Sequence, residues 1–217
     1  MERLKEHITT AVGRYQGRIA GWDVVNEAID DRRVGRTENL RDYSWYQTVG
    51  PDVLTMAFKW ADEADPGAEL YYNDYGIESG AVGNTGKHAS SMKLLKRLIE
   101  AGAPIDGVGI QGHWTINTNL EDVEQAIANY ESLGLKVAIS ELDVAVIRRN
   151  SGVFPARGFG RGRGFGVQNE PVSADALERQ AEFYAKLFEI FSRHSDTVSR
   201  VTFWGISDRR SWRSRQN

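Results

Sequence analysis

The chain has 217 residues, 41% of them hydrophobic and 26% charged, with a formal net charge of −3 and no cysteine. That balance suits one soluble globular domain over 1–217 with a sizeable core; it gives no global attraction to nucleic acid or acidic membranes and excludes a disulfide framework and thiol chemistry. No apolar run approaches the roughly 20 residues that span a bilayer, and no charged-then-apolar leader precedes the first helix, so no export signal is read in the chain as given.

Leu4, Ile8, Ala11, Val12 and Tyr15 recur at helical spacing and predict an amphipathic helix over 3–15. The Val-rich run 19–25 reads as a strand buried on both faces, as in parallel sheets, and it ends abruptly in Asn26-Glu27. The alternative for that pair is a loop Asn-Glu that caps the next helix. Pro51 and Asp52 open a helix whose apolar face is Val53, Met56, Ala57, Trp60, Ala61 and Ala64, and Asp65-Pro66-Gly67 stops it. A strand follows over 69–73, running into Asp74-Tyr75.

Met92, Leu95, Leu98 and Ile99 mark the next helix, closed by Gly102. Gly107–Ile110 is a short strand ending in Gln111-Gly112-His113-Trp114. Asn119 caps a helix that buries Leu120, Val123, Ile127 and Tyr130, with Gly134 as its stop. The strand 136–140 leads into Glu141-Leu142-Asp143, the same design as the first strand. Ser173 caps a helix carrying Leu177, Ala181, Tyr184, Leu187, Phe188 and Phe191, and 201–204 is a last strand.

A leading helix and five strands separated by helices imply an α/β fold with a parallel sheet. Polar and aromatic residues gather at the carboxyl end of each strand, which fits a (β/α) barrel with chemistry on its upper rim. The first strand has no Gly-rich phosphate turn, so a dinucleotide fold is the weaker choice. Arg148, Arg149, Arg157, Arg161 and Arg163, interleaved with glycine, read as a rim insertion in a βα loop rather than an RNA-binding arm.

Two carboxylates on the ends of two barrel strands can flank one bond. If about 5–5.5 Å apart, they suit retaining glycoside hydrolysis, one as acid/base and the other as nucleophile. Asn26 can bond a sugar hydroxyl beside the reacting carbon, His113 can orient Glu141, and Asp143 can hold His113 in one tautomer. Trp114, Trp204 and Trp212 offer flat faces for sugar rings. Trp45 and Trp60 are read as packing, and Asp74 and Glu78 as surface charges. His7, His88 and His194 stand at no ligand spacing, so no metal site and no cofactor are expected.

At these residues the chain resembles the glycoside hydrolase family 10 endo-1,4-β-xylanases. The matching stretches are residues 22–28 (WDVVNEA), 45–47 (WYQ), 72–75 (YNDY), 107–113 (GVGIQGH), 139–143 (ISELD) and 202–205 (TFWG), with Ser211-Trp212 behind. The resemblance implies that Glu27 is the general acid/base and Glu141 the nucleophile. It implies that Asn26, Gln111, His113, Trp204 and Trp212 wall the sugar at the point of cleavage, that Asn73 and Tyr75 lie on the leaving-group side, and that Asp143 supports them. The implied substrate is xylan or xylo-oligosaccharides, met outside the cell because the polymer cannot enter it.

The family's barrel is a (β/α)8 TIM barrel, whereas this chain matches about five βα units, without the first three and the last helix. Three outcomes follow: a fragment of a longer xylanase, a short form whose open sheet edges associate with itself or a complementing chain, or a weakly active xylan binder.

Overall fold

The computed structural model describes residues 1–30, 32, 39–146 and 173–214. Helix α1 (Glu2–Arg14) leads into β1 (Gly21–Asn26), followed by α2 (Ser44–Val49), α3 (Asp52–Ala64) and β2 (Glu69–Asp74). Then come α4 (Gly86–Glu100), β3 (Gly107–Ile110), β4 (His113–Thr115), α5 (Leu120–Glu131), β5 (Lys136–Ala145), α6 (Ala174–Arg193) and β6 (Val198–Phe203). Among the described residues every pairing between these strands is parallel, in the order β1-β2-β3-β5-β6, with β4 continuing beyond β3 along the upper part of β5. This is the α/β architecture of successive βα units expected from the sequence.

The local signals act where expected. Asn119 Oδ1 accepts from the Glu121 amide at 3.1 Å, and Ser173 Oγ accepts from the Ala176 amide at 3.2 Å, each satisfying a donor that the first helical turn leaves open. Gly102 and Gly134 take φ of +68° and +76°, which lets the chain leave α4 and α5 without a side-chain clash.

Outside the sheet, Leu70, Tyr72, Val108, Ile110, Val137 and Ile139 join Phe58, Leu95, Leu98, Ile127, Tyr130 and Leu187 in one hydrophobic core. On the other face, Tyr71 and Asn73 lean over β3. A Cβ on Gly107 would overlap the Tyr71 ring and one on Gly109 the Asn73 amide, so the Gly-Val-Gly-Ile alternation is the space those two side chains need. The lower part of this face is polar: Tyr71 Oη donates to Glu69 at 2.6 Å, Ser199 Oγ lies 3.2 Å away, and Arg200 sits over the ring.

Several expectations need correction. The last strand pairs from Val198 rather than 201; its polar residues Ser199 and Arg200, both against Tyr71, hide that start from an apolar pattern. The strand at 136–140 continues to Ala145, paired above Glu141 with β4. Trp60 is packed, but Trp45 is 41% exposed on α2. Asp74 and Glu78, read as surface charges, are both buried. Asp74 is neutralised by Lys87 at 2.8 Å; Glu78 accepts from the Trp114 indole at 2.9 Å, and burial pushes its pKa up. The segment 148–166 lies outside the described residues.

Candidate active site

Both carboxylates expected to do chemistry stand above a register slip. Along β1, Asp23 faces Tyr71 and Val25 faces Tyr72, so β1 carries one extra residue just before Asn26-Glu27. Along β5, Ile139 faces Ile110 while Asp143 faces His113, so β5 also carries one extra residue, between Ser140 and Leu142. Its other neighbour reports the same excess, with Ile139 opposite Val201 and Leu142 opposite Phe203. A bulge turns a side chain away from the plain alternation of a strand. Glu27 is also held at φ +54°, a left-handed conformation uncommon for a residue other than glycine and typical of strained functional positions.

Two buried amides then tie the carboxylates together. Gln111 Nε2 donates to Glu27 Oε1 at 3.2 Å and to Asn26 Oδ1 at 3.3 Å. Asn73 Nδ2 donates to the same Asn26 oxygen at 3.0 Å and to Glu141 Oε1 at 3.1 Å. Ser140 Oγ, donating to Asn73 Oδ1 at 2.6 Å, fixes which way that amide faces. β1 and β5 are separated by β2 and β3, about 14 Å along a flat sheet, yet their carboxylates are joined by this run of hydrogen bonds. Asn73, expected on the leaving-group side, is 2% exposed, with both ends of its amide engaged behind the carboxylates.

His113 lies between two acids, with Nε2 3.3 Å from Glu141 Oε2 and Nδ1 3.1 Å from Asp143 Oδ1. Burial opposes its protonation, but the two carboxylates outweigh burial and raise its pKa to about 8. At neutral pH it is therefore an imidazolium donating from both nitrogens, and the choice of tautomer expected from Asp143 arises only above that value. Burial of Asp143 pushes its own pKa up; His113, Arg213 and the Trp212 indole more than reverse this and leave it lowered. Trp212 Nε1 donates to Asp143 at 2.7 Å, and the Trp212 and Trp204 rings meet His113 edge-on at 5.0 and 6.4 Å. Both tryptophans keep a large exposed face, whereas Trp114 is buried and is no sugar platform.

The sign of the His113 shift sets a stability prediction. Its folded pKa of about 8 exceeds the ordinary 6.5, so its contribution is complete below pH 6.5 and is lost as pH rises through 8. Unfolding free energy is expected to fall by up to about 2 kcal/mol between pH 6 and pH 9. Denaturant unfolding of His113→Asn should lack that step; an unchanged slope would separate the imidazolium from the effect.

The sequence reading missed Arg41 and Tyr43. Arg41 Nη1 is 3.4 Å from Glu27 Oε2, its Nη2 donates to Tyr75 Oη at 2.8 Å, and Tyr43 Oη donates to the Glu27 carbonyl at 2.9 Å. They lie in an irregular connection after β1, where no periodicity marks them.

A parallel sheet flanked by helices, with two glutamates on its carboxyl rim and tryptophans beside them, has the layout of the barrel-type glycoside hydrolases. Comparison with known proteins names the family: Glycosyl hydrolase family 10 matches residues 1–217, and the chain belongs to it. It is 39% identical over 213 residues to a Beta-1,4-xylanase of Dictyoglomus thermophilum, covering 98% of this chain and 54% of the relative. Against Endo-1,4-beta-xylanase B of Paenibacillus barcinonensis it is 38% identical, covering 98% and 58%. The crystal structure of a xylanase XynB from that organism, complexed with a conduramine derivative, superposes with a TM-score of 0.81 at 37% identity, covering 97% of this chain and 58% of that one. A xylanase from Thermoanaerobacterium saccharolyticum, described as intracellular and solved with xylotetraose, gives 0.80 at 36% identity over 100% and 59%. The chain thus spans little more than half the length of these relatives.

Proposed function

We propose that this chain carries the catalytic pair of an endo-1,4-β-xylanase that cleaves internal β-1,4-xylosidic bonds with retention. The observation that supports this most is the hydrogen-bonded run from Glu27 through Gln111, Asn26 and Asn73 to Glu141. In the first step Glu141 attacks the anomeric carbon while Glu27 gives its proton to the departing glycosidic oxygen; in the second, Glu27 takes a proton from the water that releases the sugar from Glu141. Asn26 Oδ1 is engaged by two donors, which leaves its Nδ2 for the hydroxyl beside the reacting carbon. Trp204 and Trp212 give the xylose ring an apolar face, and Tyr75 lies toward the leaving group. Solved relatives holding xylotriose or xylotetraose support the substrate class, and a polymeric substrate supports action outside the cell. The test is release of reducing ends from soluble xylan by this chain; no release, with no labelling of Glu141 by a mechanism-based xyloside, would sink the reading.

The sheet edges favour a second component. Among the described residues β1 pairs only with β2 and β6 only with β5, and β6 is largely exposed. Unpaired parallel edges recruit other strands. Light scattering behind size exclusion is expected to show association; a compact monomer releasing reducing ends at a typical glycosidase rate would remove the need for it.

A further inference from the structure

Arg41 is the group beside Glu27 that the chemistry above does not use. Its backbone amide bonds the Ala28 carbonyl at 2.7 Å, its Nε donates to the Ile29 carbonyl at 3.0 Å and its Nη2 to Tyr75 Oη at 2.8 Å, which leaves Nη1 aimed at Glu27 Oε2. Both residues that hold the guanidinium are themselves fixed by one buried ion pair. Lys87 Nζ bonds Asp74 Oδ1 at 2.8 Å and lies 3.3 Å from the centre of the Tyr75 ring. The Tyr75 amide donates to the same carboxylate at 2.9 Å, and the Ile29 amide reaches its other oxygen at 3.5 Å. A guanidinium held at two points, on a backbone that is itself bonded to Ala28, has lost its freedom before substrate arrives, so its attraction for Glu27 carries little further entropic cost.

We propose that Arg41 is a positioning residue for the second half of the reaction, holding Glu27 as the base that activates water. The proposal rests on the retaining reading above. Glu27 Oε1 meets an amide donor and Oε2 a guanidinium, and neither partner can accept a proton. The two donors, one on each oxygen, fix where the Glu27 carboxyl points, and a fixed carboxylate is what the attacking water needs once the leaving group has gone. In that step the water oxygen bonds the anomeric carbon, the bond from that carbon to Glu141 breaks, Glu141 departs as carboxylate, and the water proton passes to Glu27. Arg41 acts in this step through Glu27 and not on the sugar or the water.

The test separates the two half-reactions. A 2-deoxy-2-fluoro xyloside with a good leaving group, followed by intact-mass spectrometry, gives the rate of labelling on Glu141 and then the rate at which the label is lost. Arg41→Met is expected to label at close to the parental rate and to lose the label about tenfold more slowly, the effect of roughly 1.4 kcal/mol. Azide needs no base, so it should restore release in the variant to the parental azide rate, and Arg41→Lys should recover part of the loss in water. A merely structural role would slow labelling and release together, and azide would not correct it. Parental release in water by Arg41→Met overturns the proposal while leaving the glycosidase reading intact; absence of label on the parent chain overturns both.

Discussion

Glu141→Ala is expected to abolish release of reducing ends from xylan, lowering the rate on the order of 10⁴-fold or more, as when a covalent nucleophile is removed elsewhere. The carboxylate has no local substitute. Its oxygens lie 3.1 Å from Asn73 Nδ2 and 3.3 Å from His113 Nε2, both donors at neutral pH, and Asp143 is turned away to His113, Trp212 and Arg213. Truncation leaves a small pocket lined by those donors, and such a pocket suits a small anion. Added azide should therefore restore turnover of an aryl β-xyloside, attacking from the nucleophile's side and giving the α-azide in a single displacement. The same truncation removes one of the two carboxylates that raise the His113 pKa, so the alkaline loss of stability should begin at lower pH. Parental rates on xylan in the variant would remove Glu141 from the mechanism.

How much of this was readable beforehand depends on whether a feature is written in neighbouring residues. The central strands were legible because β2, β3 and β5 are buried on both faces and so read as continuous apolar runs. The caps at Asn119 and Ser173 and the stops at Gly102 and Gly134 are local devices and were legible for the same reason. The bulges under Glu27 and Glu141 were not, because an extra residue is defined only against a partner strand far away in the chain. Asp74 looked like a surface charge since its counter-ion, Lys87, comes from α4 rather than from a neighbouring residue. Trp114 looked like a platform because nothing nearby shows that Glu78 will receive its indole. Ser199 and Arg200 disguised the start of β6 by facing the polar interior of an incompletely enclosed sheet.

The bulges and the amide pair also divide the labour within the site. Asn73 on β2 and Gln111 just past the end of β3 are nearly fully buried, and they hold Asn26, Glu27 and Glu141 from below. Loss of either amide is therefore a positioning defect: a shift near 1 Å between reacting groups costs about a hundredfold in rate. The left-handed φ of Glu27 fits this division, since the strain of order 1–3 kcal/mol expected for such a backbone is borne by the ladder bond from the Glu27 amide to the Asn73 carbonyl, 2.8 Å, and by the Tyr43 hydroxyl on its own carbonyl.

Glu27→Ala is expected to behave differently from the nucleophile variant, and the difference identifies the acid. On xylan the departing oxygen needs a proton, and losing its donor should lower the rate by about 10²–10⁴-fold. On a dinitrophenyl β-xyloside the leaving group departs unprotonated, so the first step should proceed at close to the parental rate and the glycosyl-enzyme should accumulate as an early burst. The second step then lacks its base, and steady-state turnover should be slow with a low apparent KM. Azide should accelerate it, entering on the face opposite the Glu141 ester and giving the β-azide, the opposite anomer to that from Glu141→Ala. Glu27→Gln retains the side-chain shape beside Arg41 and Gln111 and should show the same leaving-group dependence, which separates the missing proton from any disturbance of the Arg41 clamp. If both Glu27 variants lost equal fractions of activity on good and poor leaving groups, Glu27 would be a structural element of the rim and the proton would have to come from elsewhere.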